Sequence, residues 1–163
     1  MRCLAVCHSE LVVRMLDQVL PPRFEVDFLV ESRPLARRLH DAGIAVVPGD
    51  IRKTETYLKA DLSANTCVIV EDNAKQSLNR VLQAVRDAGS ALVYVLVTPT
   101  GGAQAAGDTR AEQLRARFPE VGVTSTYTSA DPASRTACRT RFRLCLALSS
   151  TMTQVLAERS ALR

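Results

Sequence analysis

Five polar residues stand where short apolar runs of the sequence end, and these are its candidate chemical groups. They are Ser9, Glu31, Asp50, Glu71 and Asp72. An acid at the end of a strand can accept a hydrogen bond from a ribose hydroxyl, and a serine at a strand-to-helix turn can donate one to a phosphate. The chemistry that this pattern indicates is nucleotide recognition.

The first loop lacks the glycines that usually hold a dinucleotide. The six residues from Cys7 to Val12 occupy the place of G-x-G-x-x-G, and its three glycine positions hold Cys7, Ser9 and Val12. A side chain at the middle position stands between the backbone N–H groups and a pyrophosphate. Glu10 adds a negative charge in the first helical turn, which favours the helix dipole but repels a dinucleotide. An anion could still bind at the helix N-terminus, but ordinary NAD binding is not favoured.

Each acid also has a purely structural interpretation. Glu31 could be a solvated carboxylate, and Asp50 could cap the next helix or accept a bond from an adenine amine. Gly49, just before it, is expected to adopt a positive φ. Glu71 and Asp72 could face the same crevice or supply favourable charge ahead of a helix capped by Asn73.

No catalytic constellation stands out. His8 lies at the mouth of the expected pocket, yet no residue at a recognisable spacing partners it. The chain has no G-x-S-x-G, Walker or H-E-x-x-H motif. Its five cysteines form no C-x-x-C pair and, with only two histidines, do not suggest a zinc site. The sequence therefore predicts no enzyme, no metal and thiols buried as small hydrophobic groups.

The segments that must position these residues alternate between strand-like and helix-like patterns. This alternation predicts one α/β domain over residues 1–163, a Rossmann-like doubly wound parallel sheet of about six strands with helices on both faces. The predicted strands are Cys3–Cys7, Phe24–Glu31, Ile44–Val47, Cys67–Val70, Ala91–Val97 and Val121–Tyr127. The predicted helices are Ser9–Leu20, one that Ser32 caps and Gly43 ends, Lys53–Ala60, Asn73–Ala88, Asp108–Phe118 and Ser134–Arg159, with a loop over Thr98–Gly107.

Composition narrows the class of protein. The chain of 163 residues is 47% hydrophobic and 23% charged, which is ordinary for a globular domain. A net charge of +4 does not favour nucleic-acid binding. No apolar run approaches the ~20 residues of a membrane span, and Met1–Val6 does not resemble a signal peptide. A cytoplasmic protein is expected.

The stretch from Phe28 to Asn79 resembles the N-terminal domain of RCK (TrkA-N) proteins, which regulate potassium channels and transporters. The matching blocks are FLVES, RRLHDAGIAVVPGDIRKTETYLKADL with its G-x-x-V-V-x-G-D core, and VIVEDNAKQSLNRVLQAVRDAG. The resemblance implies that Glu31, Asp50, Glu71 and Asp72 line a pocket for NAD or an adenine nucleotide. It also implies a homodimer, with the last helix crossing to the partner, and a membrane transport protein or another protein domain as the regulated partner.

Other functions remain open because the glycines are missing. The chain could be a degenerate Rossmann module that binds no nucleotide and serves as a dimerisation or interaction scaffold. It could be the N-terminal domain of a larger phosphoesterase-type protein. A small-molecule enzyme would require His8 within hydrogen-bond reach of Glu71 or Asp72.

Overall fold

A computed structural model of the chain describes residues 2–20, 24–62, 66–73, 77–90, 92–98 and 104–125. Strands and helices alternate along these residues, as the sequence predicts. The strands are β1 (Arg2–Cys7), β2 (Glu25–Val30), β3 (Val46–Pro48), β4 (Cys67–Asp72), β5 (Leu92–Val97) and β6 (Gly122–Ser125). The helices are α1 (Glu10–Val19), α2 (Arg33–Asp41), α3 (Thr54–Lys59), α4 (Leu78–Asp87) and α5 (Gln104–Arg117).

The six strands form one parallel sheet in the order β3-β2-β1-β4-β5-β6. The chain first builds outward from β1 to β3 and then returns to add β4 on the other side of β1. This reversal creates a switch point between β1 and β4, where the loops diverge and leave a crevice beyond the carboxyl ends of the strands. The predicted doubly wound fold class is confirmed.

Helices cover both faces of the sheet. Along β1, Cys3, Ala5 and Cys7 belong to the core cluster on one face, and Leu4 and Val6 belong to the cluster on the other. This alternation is the two-residue period of a strand buried on both sides. The first cluster includes the buried residues of α1 and α2, and the second includes those of α3, α4 and α5.

Local capping explains where the early helices begin and end. The hydroxyl groups of Ser9 and Ser32 accept hydrogen bonds from the backbone N–H groups of Val12 and Leu35, which fixes the starts of α1 and α2. Gly43 follows α2 with φ of +80°, the left-handed conformation that glycine adopts at low cost. The predicted cap at Ser32 and the terminating glycine are both confirmed.

Several predicted boundaries are wrong in ways that matter for the crevice. Strand β4 runs on through Asp72 instead of ending at Val70, so Glu71 is part of the sheet. Helix α4 begins after Ser77, so Asn73 is not its cap. Helix α5 begins at Gln104 and includes residues 104–107, which were predicted to be loop, so Asp108 is not its cap.

The apolar spacing of the sequence predicts Leu11 and Leu58 on the buried faces of their helices, but both side chains are exposed. Leu11 is 60% exposed and Leu58 is 57% exposed. In α1 the buried stripe runs through Val12, Leu16 and Val19, and Leu11 stands about 100° away from Val12 around the helix axis. In α3 the same offset separates Leu58 from the fully buried Tyr57.

Some predictions lie outside the described residues. These are the final helix Ser134–Arg159, the cysteines Cys138 and Cys145, the end of the Val121–Tyr127 strand and the middle of the Thr98–Gly107 loop. Within the described ranges, no helix is both long and apolar enough to cross a membrane. The same ranges contain no cluster of three or more histidine, cysteine or acidic side chains suited to a metal ion.

Candidate functional site

The loop between β1 and α1 encloses a carboxylate from the neighbouring strand. The backbone N–H groups of His8 and Ser9 both donate to Oε2 of Glu71, at 2.7 and 3.2 Å. Glu71 is only 5% exposed, and a buried carboxylate requires such donors to replace its lost water. Because β1 and β4 are adjacent, the last residues of β4 lie directly beside this loop. The two N–H groups are therefore occupied by the protein's own acid.

A second cluster lies at the carboxyl ends of β2 and β3. The guanidinium group of Arg52 donates to Glu31 at 2.8 Å and to Asp50 at 3.2 Å. Asp50 also accepts a bond from the backbone N–H of Arg52 at 3.0 Å. This backbone bond, with the Arg52 side chain, holds the pKa of Asp50 below its usual value. All three side chains are partly solvent-exposed, so a ligand can reach them.

Gly49 precedes this cluster for a different reason from the one predicted. Its φ is not positive; among the described glycines only Gly43 and Gly89 have positive φ. A Cβ atom on Gly49 would lie 2.5 Å from Cγ2 of Thr56 in α3. Asp50 does not cap α3 either, since its carboxylate closes a two-residue turn onto Arg52 and the helix starts after Lys53. Close packing of α3 against the end of β3 requires the glycine.

Asp72 fastens α5 to the end of β4. Nε of Arg110 donates to Oδ2 of Asp72 at 2.8 Å, and the Nη2 atom donates to Oδ1 at 3.1 Å. The Asp72 side chain is 7% exposed, and its hydrogen bond raises the pKa of Arg110. A bidentate ion pair of this kind fixes the orientation of the guanidinium group and of the carboxylate.

A cavity of about 190 Å³ lies beside this ion pair, between α4 and α5. It is lined by Ser77, Leu78, Asn79, Arg110, Leu114, Arg117 and Phe118. The surface that it exposes is mainly polar, and its two arginines suit an acidic group.

Cys7, the last residue of β1, and His8, which follows it in the loop, have different surroundings. Burial raises the pKa of the Cys7 thiol, and the nearby Glu71 carboxylate raises it further. Cys7 is therefore a core thiol and not a nucleophile. His8 meets Glu71 through its backbone N–H, so this contact orients the acid and is not the ring-to-carboxylate pair that the small-molecule enzyme hypothesis requires.

The five predicted site residues thus form three groups along one edge of the sheet. Ser9 joins Glu71, Glu31 joins Asp50, and Asp72 is tied to α5. The sequence analysis does not single out the two arginines that organise the second and third groups, Arg52 and Arg110. The D-x-R spacing of Asp50 and Arg52 directly after a strand was the available signal.

Comparison with known proteins places this sheet among solved folds. No protein-family model and no curated protein matches the chain. Two crystal structures of the Citrobacter sp. triphenylmethane reductase, one of them complexed with NADP(H), match it with TM-scores of 0.51 and 0.50 at 15% and 16% identity. Each match covers 80% of this chain and about half of the reductase, 51% and 50%. The chain has a Rossmann fold.

A further match is the NADPH-dependent quinone oxidoreductase QOR2 of Escherichia coli, complexed with NADPH, with a TM-score of 0.46 at 17% identity over 77% of this chain and 47% of that one.

The matches correct the prediction that the chain is not an enzyme. That prediction depended on the absence of familiar catalytic motifs. The solved structure that this chain matches with a TM-score of 0.51 is a reductase complexed with NADP(H). Where a bound cofactor carries much of the chemistry, a search for catalytic motifs in the chain is a poor test. None of these matches is an RCK protein, and that resemblance stays a prediction, as do the homodimer and the cytoplasmic location.

Proposed function

We propose that the chain is the nucleotide-binding part of an NADP(H)-dependent oxidoreductase. The nucleotide lies across the carboxyl ends of β1, β2 and β4, with its adenosine half toward β2 and β3. The switch point between β1 and β4 supports this position, because ligands of doubly wound sheets bind where the strand order reverses. The triphenylmethane reductase of this fold, crystallised with NADP(H), supports the class of cofactor. The chain spans about half the length of that reductase, so the proposal concerns the cofactor and leaves the substrate open.

The observation that carries the proposal is the position of Arg52 between Glu31 and Asp50. An acid alone at the end of β2 selects the ribose 2′-hydroxyl of NAD, whereas an arginine nearby accommodates the 2′-phosphate of NADP. Arg52 is half-exposed and its guanidinium group has the planar donor pattern that matches a phosphate. In the bound state Arg52 turns from Glu31 to the 2′-phosphate, and Glu31 returns to solvent.

The cavity between α4 and α5 provides the other end of the nucleotide site. It lies on the opposite side of the switch point from Arg52, as the second half of a dinucleotide requires. Its lining includes Arg117, which suits a phosphate or carboxylate. The nucleotide then extends from the β2–β3 end across β1 to the β4–α5 side.

Binding constants for NADPH and NADH test the proposal. The wild-type protein should bind NADPH more tightly, and Arg52→Ala should weaken NADPH binding about 10- to 100-fold, the loss of one bond to a charged group. NADH binding should change less than about threefold, since it carries no 2′-phosphate. Fluorescence titration of the reduced nicotinamide measures both constants.

Arg86→Ala is the matched control. Arg86 is also partly exposed and ion-paired, with Glu120, but it lies in the last turn of α4, away from the carboxyl edge. It should leave both constants unchanged. Equal weakening of NADPH and NADH by Arg52→Ala would contradict the assignment of Arg52 to the 2′-phosphate, and no binding of either cofactor at millimolar concentration would overturn the proposed function.

The TrkA-N resemblance implies a regulatory domain of potassium transport, a narrower function within the same nucleotide-binding class. The resemblance depends on Glu31 and on the Gly49–Asp50 pair, and these residues would contact the adenosine in either function. The arginine between the two acids favours the NADP(H) proposal over an NAD sensor.

A further inference from the structure

Glu71 occupies the position that a phosphate needs in the nucleotide site. In a doubly wound sheet the pyrophosphate is held by backbone N–H groups of the loop from the first strand to the first helix. Here the N–H groups of His8 and Ser9 converge on one oxygen of Glu71. Successive N–H groups that converge on a single point form an anion site, and the anion in this one belongs to the protein.

Capping of α1 does not explain this contact. Ser9 already caps the helix, because its hydroxyl group accepts from the N–H of Val12 at 3.1 Å. Glu71 comes from β4, 62 residues farther along the chain than Ser9, and its side chain is held in the β1–α1 loop at 5% exposure. An acid in this buried position excludes a second anion from the same N–H groups, by volume and by like charge.

We propose that Glu71 is a built-in competitor for the nucleotide phosphate and thereby determines the specificity of the site. A diphosphate binds only when the Glu71 carboxylate leaves the N–H groups of His8 and Ser9. The wild-type protein consequently obtains most of its selectivity from the adenosine end, through Arg52, and little from the diphosphate. This inference rests on the proposed nucleotide function and adds the residue that limits it.

Replacement of Glu71 tests the inference with two probes, inorganic pyrophosphate and NADPH. Glu71→Ala exposes the two N–H groups, so pyrophosphate should raise the melting temperature of this variant but not that of the wild type, at constant ionic strength. The same variant should bind NADPH about tenfold or more tightly than the wild type does. Glu71→Gln keeps the size of the side chain and an acceptor oxygen but removes the charge. Its affinity for both probes should lie between those of the wild type and Glu71→Ala, and it replaces the alanine variant if that variant does not fold.

Ser90→Ala is the matched control for the loss of a buried polar group. The Ser90 hydroxyl group donates to the Thr66 carbonyl at 3.1 Å, at the opposite, amino-terminal edge of the sheet. This variant should lose stability without gaining any response to pyrophosphate.

The outcomes separate the two proposals. If the wild type binds NADPH and neither Glu71 variant binds NADPH or pyrophosphate better, the competitor role is overturned and the nucleotide function stands. If Glu71→Ala binds pyrophosphate but no form of the protein binds NADPH, the nucleotide function is overturned and with it the role of Glu71 against a nucleotide; Glu71 then only keeps a free anion from the loop. If no form binds either probe, both are overturned.

Discussion

At the scale of single residues, the acids of the crevice are defined by their partners. Glu31 and Asp50 each follow an apolar run in the sequence, and both lie at the ends of strands as expected. The position of Glu71 was not predictable in the same way. The apolar run stops at Val70, so the strand was expected to stop there, and only the loop N–H groups on the neighbouring strand make a buried acid at the next position favourable.

The first prediction concerns the titration of Asp50. Its lowered pKa has the backbone N–H of Arg52 as its largest cause and the Arg52 side chain as a smaller one. Arg52→Ala should therefore raise the Asp50 pKa only part of the way to its ordinary value, because the backbone N–H remains. Carbon-13 NMR of the carboxyl group measures the shift. A complete return to the ordinary value would show that the side chain is the main cause.

The direction of the effect on folding follows from linkage. A carboxyl group whose pKa is lower in the folded state stabilises the fold at every pH above its unfolded pKa. That contribution is lost as the pH falls through the lower, folded pKa of Asp50. In Asp50→Asn this acid-side decrease should be smaller, as measured by denaturant unfolding at pH 6 and at about pH 3.

At the scale of elements, the helical and strand periods predicted the order and type of β1 through β6, but not which residues of a short helix face inward. Helix α3 has only Thr54–Lys59, less than two turns, and two adjacent apolar residues give no unique stripe in so short a segment. The contact with β3 and the core decides between them, and Tyr57 is buried while its hydroxyl group donates to the Ile51 carbonyl at 2.6 Å.

The packing of α3 on the end of β3 gives a further prediction. Gly49→Ala should destabilise the protein by about 1–3 kcal/mol, the usual cost of overpacking, because the new methyl group meets Cγ2 of Thr56. Thr56→Ser removes that carbon and keeps the hydroxyl group that donates to the Asp50 carbonyl at 2.8 Å. The double variant should recover most of the loss in urea unfolding. Strict additivity of the two changes would contradict this explanation of the glycine.

At the scale of the whole molecule, the sheet brings three groups of interacting residues, distant in sequence, to one edge. The loops after β1, β2, β3 and β4 all emerge there because parallel strands share one direction. The sequence predicted this edge and most of its acids; it did not reveal that those acids are already paired with arginines and loop N–H groups. Asp50 and Arg52 are only two residues apart, but the other pairings join residues 21 to 63 positions apart along the chain, which local patterns do not contain. A ligand must therefore replace internal contacts as it binds.

Amide chemical shifts of the nitrogen-15-labelled protein, recorded as NADPH is added, test this central claim most directly. The nucleotide position that we propose predicts the largest shifts at the amides of His8, Ser9 and Arg52, since the ligand displaces their present partners or changes their surroundings. The amide of Ser90, at the opposite edge of the sheet, should not move. The absence of shifts at millimolar NADPH, or shifts confined to the amino-terminal edge around Thr66 and Ser90, would contradict a nucleotide site at the carboxyl ends of the strands.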